Sequence, residues 1–166
     1  RLRLVQSGDV KAVADLLREC EKSEPSAENF LKYEAIVIGC LEILAVKHRA
    51  GEPLETGPEI EQAIRAVERL LQMPMSKWDN AEAFLWSGTI HSRAKLHSRA
   101  VSDLRKATEL VPHHFDARKY LALTIAQESP SESISILEAL VKERPDDRAN
   151  QYMLAASYRV VGRTDE

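Results

Sequence analysis

Apolar and small residues between 81 and 114, AEAFLWSGTIHSRAKLHSRAVSDLRKATELVPHH, recur at spacings of three and four and predict two amphipathic helices joined by a turn. Phe84, Ser87, Gly88 and His91 share one face of the first helix, and Ala100, Leu104 and Ala107 supply the answering face of the second. Small residues at Gly88 and Ala100 predict a close approach, at the short end of the roughly 8–10 Å range of helix packing. Pro112 stops the second helix because it cannot continue the hydrogen-bond ladder. The pattern recurs from Phe115, with Leu121, Ala122 and Ile125 answered by Ser133, Leu137 and Leu140, and Pro145 closing. This second unit is one residue shorter, in the turn near Ser129 and Pro130, and Leu140 fills a place that Ala107 fills in the first. A third unit from Arg148 carries Leu154, Ala155, Tyr158 and a turn glycine, Gly162.

Upstream the spacing is looser. Residues 28–73 place Leu31, Ala35 and Ile38 on the packing face of a long first helix, and Ala63, Val67 and Leu70 on that of a second. Between them the segment GEPLETGP, 51–58, has glycines and prolines that end the first helix near Ala50 and form a loop. Gly8 and Asp9 read as a turn, with Val13, Leu17, Cys20 and Pro25 at the offsets of a second helix after it. The expected organisation is a partial unit over 1–27, a unit with an insertion over 28–80, units over 81–114 and 115–147, and a partial unit over 148–166.

The 34-residue stretch from Ala81 resembles one tetratricopeptide repeat. Phe84, Gly88, His91, Ala100, Leu104, Ala107 and Pro112 fall at its fourth, eighth, eleventh, twentieth, twenty-fourth, twenty-seventh and thirty-second positions, with His91 where a large apolar residue is usual. The resemblance covers nearly the whole chain and is strongest over 81–161. It implies an all-α fold, a right-handed α-solenoid of helix-turn-helix repeats, because one such hairpin cannot bury its apolar stripe alone.

In that family the first helix of each hairpin lines a concave surface, and its second, fifth, sixth, ninth, twelfth and thirteenth positions commonly face the ligand. The sixth positions here are Tyr33, Trp86, Tyr120 and Met153, and the fifth are Lys32, Leu85, Lys119 and Tyr152. The resemblance therefore implies a partner groove of Tyr33, Leu85, Trp86, Arg93, Lys119, Tyr120, Leu123, Tyr152 and Met153. Its aromatic column offers rigid contact area with a polar handle, the residue types enriched at binding hot spots. The competing role for a large sixth-position residue is to wedge between neighbouring first helices. The clamp with which some chaperone-binding relatives hold a terminal carboxylate is missing, since Leu85, Thr89, Tyr120, Ala149 and Met153 stand at the groove positions concerned. An extended peptide or amphipathic helix held by apolar contacts is the expected partner.

Composition narrows the alternatives. The chain has 166 residues, a hydrophobic fraction of 44% and a net charge of −3, with both signs interspersed, so nothing global favours nucleic acid. The one basic cluster, HSRAKLHSR at 91–99, keeps nucleic-acid binding as a minor alternative. The apolar run AIVIGCLEILAV, 35–46, contains Glu42 and falls far short of the roughly 20 residues that span a bilayer. Cys20 and Cys40 have no metal-ligand spacing and are expected as free thiols. Neither the histidines, including adjacent His113 and His114 and the pair His91 and His97, nor the scattered carboxylates form a metal or catalytic motif. No cofactor and no enzymatic activity is expected.

The expected function is a protein-interaction scaffold, and the rival is an architectural or oligomerisation domain accessory to a larger enzyme. Without an initiating methionine or signal peptide, the sequence reads as an internal piece of a longer polypeptide. Compartment is not written in it, with a soluble, cytoplasmic setting preferred. The helix over about 148–161 is expected to expose Leu154, Tyr158 and Val161 and to promote self-association through the C-terminal end.

Overall fold

The computed structural model describes residues 27–51 and 57–162, with Asp15, Arg18, Glu19 and Lys22 besides, and side chains within the first helix from Phe30 onward. The partial unit expected over 1–27, with its turn at Gly8 and Asp9, lies outside the described residues apart from those four. From residue 27 the described chain is helical, without a strand: α1 (Ala27–Arg49), α2 (Pro58–Leu70), α3 (Lys77–Arg93), α4 (His97–Leu110), α5 (Phe115–Ile125), α6 (Pro130–Glu143) and α7 (Arg148–Val160).

The boundaries have local causes. Gly57, at φ 148°, turns the chain into α2, whose first residue is Pro58. Ser76 caps α3 by accepting the Asp79 amide at 3.1 Å, so this helix begins one turn before Ala81. Asp147 caps α7 by accepting the amides of Ala149 and Asn150 at 3.0 and 3.2 Å. At the other ends, α4 stops at Leu110 and α6 at Glu143, each two residues before a proline.

Each helix packs on the next, and α1, α3 and α5 also touch in series, which sets them side by side as one layer with α2, α4 and α6 behind. In the α3–α4 hairpin the expected close approach is present. A Cβ on Gly88 would lie 2.6 Å from Leu104 Cγ and 3.1 Å from the Ala100 carbonyl oxygen, so only glycine fits. In α5–α6 the corresponding contact is Ala122 against Ser133, whose buried hydroxyl donates to the Ala122 carbonyl at 2.7 Å.

In α1 the register differs from the sequence expectation. The buried residues are Tyr33, Ile36, Val37, Cys40, Ile43 and Leu44, packed with Ile60, Ala63, Val67 and Leu70, while Leu31 is 66% exposed, Ile38 faces out and Ala35 is half-buried. The packing face is displaced by two residues because α1 has apolar side chains on nearly every side. Cys40 is only 3% exposed, and burial pushes its thiol up to about 12.

Candidate functional site

The layer of α1, α3 and α5 carries two adjoining cavities. On α1, Phe30, Glu34 and Leu41 lie on one side at spacings of four and seven. On α3, Trp78, Glu82 and Trp86 repeat every four residues, continued by Thr89 and Arg93. Lys119 and Tyr120 complete the surface from α5.

The first cavity, about 270 Å³, lies between α1 and α3 and is lined by Phe30, Glu34, Trp78, Asp79, Glu82 and Trp86. The second, about 350 Å³, lies between α3 and α5, with Leu41 reaching in from α1 and Arg93, Lys119 and Tyr120 on its walls. Glu82 and Trp86 border both, so the two are compartments of a single groove.

The compartments differ in charge. Burial, followed by the nearby carboxylates of Asp79 and Glu82, holds the Glu34 carboxyl above its ordinary range. His114, buried at the start of α5, accepts the Ala117 amide through Nδ1 at 3.4 Å, which leaves Nε2 as the protonated nitrogen of the neutral ring. That Nε2 meets Glu82 Oε1 at 3.1 Å, and the Trp78 ring stacks on His114 with centroids 5.0 Å apart and planes 12° apart. Glu82 and Trp78 are thus positioned from α5 as well as from their own helix.

Five residues expected in the groove come together there: Leu85, Trp86, Arg93, Lys119 and Tyr120. Leu85 contributes an edge only, since it is buried against Leu104, Ala117 and Leu121. Tyr33 is corrected: at 1% exposure it belongs to the α1–α2 core, a consequence of the displaced register. Leu123 and Tyr152 are exposed and line neither compartment, while Met153 packs with Phe115 and Leu154 against Ala122, Leu137 and Leu140. Phe30, Glu34, Trp78 and Asp79 were not legible as site residues, although the four-residue spacing of Trp78, Glu82 and Trp86 carries a signal.

Sequence motifs bring no serine, histidine and acid together, but the fold does. Ser87 Oγ donates to Asp103 Oδ2 at 2.6 Å, and His91 Nδ1 meets the same oxygen at 2.8 Å. The serine proton is directed at the carboxylate instead of the imidazole, and His91 Nε2 is buried without a partner. This arrangement suits a lock between α3 and α4, because nucleophilic catalysis requires the histidine to accept the serine proton. No group of three or more metal-ligating side chains occurs among the described residues. No described helix is long and apolar enough to cross a membrane. The basic segment 91–99 is divided, with Arg93 on the groove, Lys95 in the turn at φ 56° and Arg99 exposed on α4.

No family model matches the chain, and no curated protein sequence does. Solved structures do. MamA superposes with a TM-score of 0.62 at 15% identity, over 93% of this chain and 79% of that one. YrrB, a TPR protein with an unusual peptide-binding site, superposes at 0.58 and 18% identity, over 96% and 81%. The Cut9–Hcn1 hetero-tetramer of the APC/C superposes at 0.57 and 13% identity, over 88% of this chain and 29% of that one. Together with the layered hairpins and the close contact at Gly88, these superpositions establish the fold as a tetratricopeptide-like α-solenoid.

Proposed function

We propose that the chain is a protein-interaction module whose groove across α1, α3 and α5 holds an extended peptide segment. The observation that carries this reading is Trp86, whose ring borders both compartments while Tyr120 stands exposed at the far wall. A groove with two adjoining cavities suits alternate side chains of an extended chain, and aromatic walls supply contact area at low entropic cost. The peptide-binding site of YrrB, a protein of similar fold, is consistent with this use of the scaffold.

A library of random nine-residue peptides displayed on phage, selected on the chain, tests the proposal. Selected peptides are expected to lose at least about tenfold in affinity on a Trp86→Ala/Tyr120→Ala double variant, the size expected for removing two aromatic anchors. Far-UV circular dichroism confirms that the variant remains folded. Undiminished binding to a folded double variant would remove the groove from consideration.

A further inference from the structure

Resting on that reading of the groove, we infer that its compartment between α1 and α3 takes an arginine side chain of the bound peptide. Glu34, Asp79 and Glu82 line the compartment, and among the described residues no lysine or arginine is paired with any of them. Their recorded partners are a hydroxyl and an imidazole: Ser76 donates to Asp79 Oδ2 at 2.6 Å, and His114 meets Glu82. Negative charge is therefore concentrated here, and among the described residues no lysine or arginine is set against it.

The walls are an independent feature of the same cavity. Phe30, Trp78 and Trp86 present aromatic surface, whose ring faces carry negative electrostatic potential and attract cations. Trp78 is 54% exposed yet held in place by its stack on the buried His114, so this wall is in position before anything binds.

The donor chemistry selects among cations. Three carboxylates offer acceptor sites that a quaternary or fully methylated ammonium, which has no N–H, would leave unused. A guanidinium brings five N–H donors in a planar fork and stacks on indole, satisfying walls and floor together. The neighbouring compartment suits it less, because there Arg93 and Lys119 offset the carboxylates of Glu82 and Asp116.

The experiment uses the peptides selected on the unmodified chain. Arginine should be enriched in them, and replacing it with citrulline, the uncharged isostere, should weaken binding at least about tenfold, with lysine intermediate. Peptides containing citrulline should bind Glu34→Gln/Glu82→Gln no worse than they bind the unmodified chain, whereas the arginine peptides should lose most of their advantage. Because the citrulline exchange leaves the protein intact, it remains decisive even if the double glutamine variant fails to fold.

Two failures are distinguishable. If the selected peptides depend on Trp86 and Tyr120 but are indifferent to citrulline or bind lysine and arginine equally, the arginine seat is wrong and the groove stands. If they ignore Trp86 and Tyr120, the groove reading falls and this inference with it.

Discussion

The hairpins α3–α4 and α5–α6 occupy successive places in the same pattern and are fastened by different chemistry. In α3–α4 the axes meet over Gly88, with Leu104 in the space that a side chain would fill, and one carboxylate oxygen of Asp103 ties Ser87 and His91 to α4. In α5–α6 the small pair is Ala122 and Ser133, the buried cross-helix bond is a neutral hydroxyl on a carbonyl beside the apolar contacts of Leu137 and Leu140, and a charged tie, Arg118 to Glu143 at 2.7 Å, lies at the open end of the hairpin where Glu143 is solvent-exposed. The pattern fixes where the helices come close. It leaves open whether shape, charge or a hydroxyl secures them there. Polar fastening is asymmetric in energy, since a satisfied network adds little net stability, yet one missing member strands its buried partners.

That contrast is sharpest at the glycine. Gly88→Leu should overpack α3–α4 and cost about 3 kcal/mol, the upper part of the range for inserting bulk into a close-packed core, because both Leu104 and the α4 backbone block relaxation. A urea midpoint unchanged by this substitution would show that the two helices are not apposed there. Next in size, Asp103→Ala should cost about 2 kcal/mol by leaving the buried Ser87 and His91 without their shared acceptor. Restoring apolar character through Ser87→Ala/His91→Leu in that background should recover much of the loss, and failure to recover it would mean that Asp103 acts elsewhere. Smallest, Ser133→Ala should cost about 1 kcal/mol, since the Ala122 carbonyl loses only a neutral bond. If chemical denaturation gives Ser133→Ala a cost equal to that of Asp103→Ala, the two hairpins are not fastened differently after all.

The fold was legible wherever small residues and proline punctuate the spacing. Gly88, Ala100 and Pro112, and likewise Ala122, Ser133 and Pro145, admit only one face and one end for their helices. Along α1 the run from Ala35 to Val46 satisfies three-and-four spacing in several registers, and only the partners on α2 decide that Tyr33 and Val37 face inward while Leu31 and Ile38 do not. The misplacement of Tyr33 follows from this ambiguity. The groove was half legible for a related reason: Trp86, Arg93, Lys119 and Tyr120 lie within the recurring unit, whereas Trp78 and Asp79 precede its first position on the extra turn capped by Ser76. Glu34 was hidden by the same two-residue displacement, and its neighbours reach it from another helix. His91 was visible as a departure from type, but its acid lies twelve residues away and no local spacing announces it.

Cys40 gives the α1–α2 end a chemical clock. With burial pushing its thiol up to about 12, the reactive thiolate is scarce at neutral pH, and the sulfur is packed among apolar side chains. Alkylation at this position must wait for the helices to part. In a Cys20→Ser background, the rate at which a maleimide consumes the remaining thiol would count those openings, reporting how often α1 and α2 part.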